Sequence, residues 1–276
     1  MEGCLSEHHL LRKSDYEYFT WGEKFPDRNV DLRKLVNVDP SWSPLFEEFF
    51  ASDELIKLNN YYSLCLEKHD GNIKVFPYPD LVFNAFNLTP LDEVKVIIIG
   101  QDPYLNNEME DNMIVPQAMG LSFSVPVGIK IPSSLKNIYK NLKKFGHIKT
   151  LPKHGNLESW AWQGVLLLNR ALTVQAGHAK SHISGWSHFT QKAVEYISSN
   201  CDHVVFLLWG SPAQSVEECI DTTKHNVIKS SHPSGLSANS ICQGTPPFNN
   251  VDHFGKTNEY LISIGQDPIH WNTILL

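Results

Sequence analysis

Four short runs of consecutive apolar residues constrain the fold of this chain more than any other feature. They are VKVIIIG (94–100), GVLLLN (164–169), HVVFLLWG (203–210) and NVIKSS (226–231). A strand with one wetted face alternates apolar and polar residues. An unbroken apolar run instead marks a strand buried on both faces, as in a parallel sheet covered by helices. Helical patterns lie between the runs. Pro132-Ser133-Ser134 precedes Leu135, Ile138, Tyr139 and Leu142, an i, i+3, i+4, i+7 stripe. Ser187 is expected to cap a helix carrying Phe189, Ala193, Tyr196 and Ile197, and Ser211-Pro212 to cap and open another. The alternation predicts an α/β fold: a single domain with a central, mainly parallel four-stranded sheet flanked by helices. Residues 39–276 are assigned to that domain. Residues 1–38 are polar, acidic and without clear periodicity, and read as a loosely attached extension.

Composition narrows the function classes. A hydrophobic fraction of 42% over 276 residues is ordinary for a chain with a real core. No apolar run reaches the roughly 18 to 20 residues of a membrane span. The first residues, MEGCLSEHHLLRK, lack the apolar stretch of a signal peptide, so an intracellular, soluble protein is expected. The five cysteines are scattered without a CxxC pair, and no HExxH is present. No metal site and no cofactor are therefore expected. His178, His182 and His188, in GHAKSHISGWSH, read as a solvated loop.

The net charge of −7 argues against nucleic acid only until its distribution is considered. Residues 1–111 carry 10 Lys and Arg against 21 Asp and Glu, whereas residues 112–276 carry 13 against 9. Between 112 and 157 there are seven lysines and no acid. The local potential at a contact face governs DNA binding, so the acidic total does not exclude it.

The residues at the carboxyl end of each apolar run suggest chemistry. The first run leads into Gln101-Asp102-Pro103-Tyr104, the second ends on Asn169, the third meets Ser211, and the fourth meets His232-Pro233-Ser234. Ligands of open α/β sheets bind at the carboxyl ends of the strands. Singly, Asp102 and Asn169 are plausible turn formers, Ser211 a helix cap and His232 a loop histidine. Four such residues at four strand ends form a constellation. There is no GxGxxG or GxxxxGK[ST] for phosphates, and Ser211 is not in a GxSxG elbow. One carboxylate, one histidine and an amide suit a cationic transition state with an anionic leaving group, as in glycosidic cleavage.

GQDPY (100–104), GLSFSV (120–125), IPSSLKNIYKNL (131–142), GVLLLN (164–169), LLWGS (207–211) and HPSGLS (232–237) resemble, in this order, the blocks of the family 1 uracil-DNA glycosylases. SHISGW (181–186) and HFGKTN (253–258) are similar to that family as well. The resemblance runs from about Trp42 to the C-terminus. It implies a monofunctional N-glycosyl hydrolase of base excision repair that flips uracil out of DNA. Asp102 would then orient the attacking water and stabilise the cationic sugar, and His232 would hydrogen-bond uracil O2. Asn169 would read N3–H and O4, Tyr104 would collide with the methyl of thymine, and Phe123 would stack on the base. Backbone amides near Gln101 and Asp102 would assist. Leu236 would enter the base stack, while Pro132, Ser133, Ser211, Ser234 and Ser237 would contact phosphates.

Three departures from the family pattern stand out. Leu105 replaces the usual His, the stretch 105–119 is long and holds Glu108, Glu110 and Asp111, and Gly235 replaces the usual Pro. An inserted surface element beside the site is expected, with its acids turned from DNA, and a divergent member, as from a large DNA virus. The expected partners are uracil-containing single- and double-stranded DNA, bound by a monomer inside the cell, at the nucleus or a viral replication site. Residues 1–38 are a candidate contact for replication or repair proteins. The alternative reading is a DNA-binding or replication scaffold on the same fold with reduced catalysis.

Overall fold

The computed structural model describes residues 9–272. Its strands are β1 (Val75–Phe76), β2 (Val96–Gly100), β3 (Asn107–Glu110), β4 (Met113–Pro116), β5 (Val165–Asn169), β6 (Val174–Gln175), β7 (Val205–Trp209) and β8 (Asn226–Ser230). Its α-helices are α1 (Trp21–Lys24), α2 (Ser43–Phe50), α3 (Asp53–Lys68), α4 (Asn84–Leu88), α5 (Ser133–Lys144), α6 (Glu158–Ala161), α7 (Ile183–Asn200), α8 (Ser211–Gln214) and α9 (His253–Ser263).

The four apolar runs form one parallel sheet in the order β5-β2-β7-β8. Successive side chains of a strand point to opposite faces. Every residue of β2, β5 and β7 is buried, so both faces of the sheet are covered and no alternation is needed. β8 lies at the edge and is partly exposed. The expected α/β architecture is therefore present. The register pairs Gly100 with Asn169 and Trp209 with Ser230, which brings the carboxyl ends of all four strands to one edge.

Helix α5 begins where the proline and serines place it and buries Leu135, Ile138, Tyr139 and Leu142. Two expected starts differ. α7 begins at Ile183 with His182 at its N-cap, so Ser187 lies inside the helix. Trp186, fully buried, extends the apolar stripe one turn earlier than Phe189. α8 is a single turn whose N-cap is Gly210, with Ser211 its first residue. Gly210 has φ +83°, and a Cβ there would lie 2.9 Å from the Cβ of His232, so a glycine suits the close approach of the two loops.

The reading of the first 38 residues as loosely attached is overturned for residues 9–38; residues 1–8 lie outside the described residues. Tyr16, Trp21, Phe25, Val30, Leu32 and Leu35 all join the main hydrophobic core. The Trp21 indole donates to the carbonyl of Val75 at 3.1 Å and stacks on Tyr62 with centroids 4.7 Å apart. These anchors are spaced irregularly because α1 is one turn and the neighbouring turns are 3₁₀, so they leave no period to read.

The histidine-rich stretch is also corrected. His178 and His188 are exposed, but His182 is buried, with its ring nitrogens 2.8 Å from Thr173 Oγ1 and 3.1 Å from the Tyr61 hydroxyl. Burial pulls its pKa down to about 4. The long stretch 105–119 is a surface hairpin, β3 paired with β4. Asp111 and Asn112 connect the strands at φ +46° and +66°, the two left-handed positions that a type I′ turn requires.

Candidate active site

A cavity of about 480 Å³ opens at the carboxyl edge of the sheet. Gln101, Asp102, Tyr104, Asn169 and His232, from the strand-end pattern, line it together with Phe123 and Ser237, from the family resemblance. Pro132, Ser133, Ser211, Ser234 and Leu236 do not line it, but Ser134 and Pro212, next to two of them, do. Ser133 and Ser211 therefore border the cavity at its rim. Leu236 is 95% exposed at the tip of its loop. Hydrogen bonds brace the rim: the Asn137 amide donates to the carbonyl of Pro233 at 2.8 Å, and the hydroxyl of Ser211 lies 3.2 Å from Cys242 Sγ.

The first strand end is closely fitted to the second. Arg170 and Ala171 donate backbone N–H groups to the carbonyls of Gly100 and Gln101, each at 3.0 Å, which carries the parallel ladder past the strands. The Asn169 side chain then lies against Gly100, where a Cβ would fall 2.1 Å from Asn169 Oδ1. Asn169 is buried, and no hydrogen bond among the described residues occupies its side-chain amide.

Asp102 has two unlike oxygens. Oδ2 accepts from the Gln101 amide at 2.7 Å and from the Lys180 backbone N–H at 3.1 Å. Oδ1 is buried and has no hydrogen-bond partner among the described residues. The Lys180 bond was not legible from the motifs: Lys180 has φ +63° in the turn before α7, and only the folded turn aims its N–H. The Gln101 side-chain amide is committed to Asp102, which leaves its backbone for the role the resemblance implies.

His232 is held in one tautomer. The Ser234 N–H donates to its Nδ1 at 3.0 Å, so a neutral ring carries its proton on Nε2. Burial lowers its pKa to about 4, which keeps the imidazole neutral near pH 7. Phe123 sits between His232 and Trp209, with ring centroids 5.8 and 5.5 Å away. Its backbone is in the left-handed region at φ +63°, a conformation uncommon for an aromatic residue and characteristic of functional sites. The Tyr104 hydroxyl donates to the Phe123 carbonyl at 3.2 Å, and burial holds the phenol protonated. The two aromatic walls are thus fixed to each other.

The sheet edge therefore offers a carboxylate with one unpaired oxygen, an imidazole N–H donor and an unoccupied amide inside one small cavity. Known proteins show which family this chain resembles. A model of the uracil DNA glycosylase superfamily matches residues 86–269. A probable uracil-DNA glycosylase of Acanthamoeba polyphaga mimivirus is 39% identical over 279 residues, covering 97% of this chain and 74% of that one. The uracil-DNA glycosylase of Agrobacterium fabrum is 46% identical over 237 residues, covering 86% and 91%. The crystal structure of the mimivirus uracil-DNA glycosylase superimposes with a TM-score of 0.89 at 38% identity, covering 95% of this chain and 96% of that one. The chain belongs to the uracil-DNA glycosylase superfamily.

Proposed function

We propose that the cavity receives a uracil flipped out of DNA, and that Asp102, His232 and Asn169 divide the work of reading and releasing it. The activity is the family's own: hydrolysis of the N-glycosyl bond between uracil and deoxyribose, the first step of base excision repair. The observation that carries the division of labour is Asp102, with one oxygen saturated and the other buried and unpaired.

As the bond breaks, its electrons pass to the uracil ring and positive charge gathers on the sugar. The Asp102 carboxylate faces that charge in a cavity of low dielectric, where the attraction exceeds its value in water. Its Oδ1 accepts a hydrogen bond from the water that adds to the sugar carbon. The departing uracil carries negative charge at O2, and His232 Nε2–H donates to that oxygen. A neutral donor suits the site because no cation has to be desolvated there. The Asn169 amide accepts from N3–H and donates to O4; cytosine offers the reverse pattern and is rejected. Tyr104, locked to Phe123, fills the space a C5 methyl would need, and Phe123 stacks on the base. Gln101 acts through Asp102.

The rim, with Ser237 of the cavity wall, handles the backbone. Pro132, Ser133, Ser211, Ser234 and Ser237 contact phosphates through hydroxyls and backbone N–H groups, which need no long basic side chains. Leu236 enters the stack where the base has left, offsetting part of the few kcal/mol that unstacking costs. Catalysis is assigned to residues 39–276, which hold every residue named above, with residues 1–38 an acidic extension whose residues 9–38 pack against them. The protein acts as a monomer on single- and double-stranded DNA inside the cell, in the nucleus or, for a viral chain, at a replication site. The extension is the candidate contact for repair or replication proteins.

The test is release of free uracil from single- and double-stranded oligonucleotides containing one uracil, beside thymine controls. Release from both uracil substrates is expected. A folded protein that binds these DNAs and frees no uracil would overturn the reading and leave the scaffold alternative.

A further inference from the structure

The hairpin β3–β4 starts in the wall of the cavity, where Leu105 and Asn106 lie. Their carbonyls are held by the N–H groups of Gly177 and Gln117, each at 3.0 Å. Strand alternation sends Glu108 and Glu110 to the same face. One ammonium meets both, with Lys13 Nζ 3.4 Å from Glu108 Oε2 and 3.1 Å from Glu110 Oε2. The other oxygen of Glu108 accepts from the Lys130 backbone N–H at 2.9 Å, just before Pro132 and the start of α5. The hairpin acids therefore sit beside the rim assigned to phosphate, against residues 112–157, which carry no acid of their own.

Lys13 is itself strapped down. Its N–H donates to the carbonyl of Val127 at 2.7 Å, and the Val127 N–H donates to the carbonyl of Leu11 at 2.9 Å. The Leu11 N–H donates to Glu158 Oε2 at 2.7 Å, and its carbonyl also accepts from the Asn156 amide at 3.2 Å. Glu158 is buried, so the strap is tied to the interior.

We infer that Lys13 is a positioning residue for DNA: from the N-terminal strap it neutralises Glu108 and Glu110, so that an acidic insertion can border the DNA path without repelling phosphates. The inference rests on the reading of Pro132 and Ser133 as phosphate contacts. It separates affinity from chemistry, because Lys13 touches neither Asp102 nor His232. In Lys13→Gln the two carboxylates beside the rim lose their counter-charge. KM for uracil-containing duplex should rise by roughly three- to tenfold at low salt, with kcat unchanged, and the gap should narrow as salt screens the repulsion.

The experiment compares wild type, Lys13→Gln and Lys13→Gln/Glu108→Gln/Glu110→Gln at about 50 and 200 mM salt, alongside thermal unfolding of each. The triple variant should recover the wild-type KM, since it removes the charges that Lys13 serves to mask. An unchanged KM in Lys13→Gln overturns the inference. So does a rise that is equal at both salts and persists in the triple variant, which would mean the strap acts through packing alone. Uracil release by the wild type separates the two levels: release with no Lys13 effect defeats this inference only, whereas no release defeats the glycosylase reading beneath it.

Discussion

Replacing Gly100 with Ala tests whether Asn169 reads the base from the position the fold gives it. The added Cβ would fall 2.1 Å from Asn169 Oδ1 and 2.9 Å from Ser122 Cβ. Ser122 is fixed, since its hydroxyl donates to the Ile98 carbonyl at 3.1 Å and its N–H to the Leu167 carbonyl at 3.0 Å. The Asn169 amide, which no hydrogen bond among the described residues retains, is the part that yields. Non-bonded heavy atoms need more than about 3 Å, so the amide must retreat by about 1 Å. A displacement of that size at a positioning group costs on the order of 100-fold in rate, or about 2.7 kcal/mol of transition-state stabilisation. Overpacking should also lower stability by about 1–3 kcal/mol. Single-turnover uracil release would give the rate, thermal unfolding the stability, and cytosine-containing DNA the selectivity. The same change in an Asn169→Ala background should be nearly silent, because both substitutions disable one contact. A folded Gly100→Ala enzyme with a near-normal rate would refute the reasoning, as would a full additional loss in the Asn169→Ala background.

The geometry sets three further outcomes. Tyr104→Ala opens the wall beside C5 and should permit release of thymine; continued rejection of thymine would show that another group excludes the methyl. Asn169→Asp should move preference towards cytosine, since a carboxylate accepts from N4, and an unchanged preference for uracil would mean that the base is read elsewhere. Burial pulls His182 and His232 down to about 4 and His253 to about 3, against an ordinary value of 6.5. Between those values the unfolded chain binds protons that the native state refuses. Their stabilising contribution is therefore complete above pH 6.5 and lost as pH falls, through about 4 for His182 and His232 and about 3 for His253, at on the order of 3 kcal/mol per histidine by pH 4. Thermal unfolding at pH 7, 5.5 and 4.5 should show a steep fall in Tm, and a flat profile would contradict the neutral buried histidines.

The sheet was legible because burial on both faces leaves unbroken apolar runs, and β2, β5 and β7 run where those runs lie. The cavity lining was legible for a related reason: a parallel sheet gathers its strand ends, so Asp102, Asn169 and His232 had to meet. Other features left no such trace. Trp21 and Tyr16 anchor the N-terminal segment from single turns and extended backbone, where no hydrophobic period exists to reveal them. The start of α7 depends on Trp186 packing against Phe49 and Phe83, which is a tertiary fact. The Lys180 N–H on Asp102 comes from a backbone turn, and backbone donors carry no residue signature. Glu108 and Glu110 were visible as charges, but their masking by Lys13 depends on a strap nearly a hundred residues away.

The central claim is that the Asp102 carboxylate, with Oδ1 unpaired in the cavity, supplies the charge that breaks the bond. Single-turnover uracil release by Asp102→Asn tests it most directly, with DNA binding and thermal unfolding measured on the same samples. The substitution keeps the size of the side chain and removes its charge. Binding and fold should be retained while the rate drops by about a thousandfold or more. A folded Asp102→Asn enzyme that binds uracil-containing DNA and releases uracil at a near-normal rate would contradict the account.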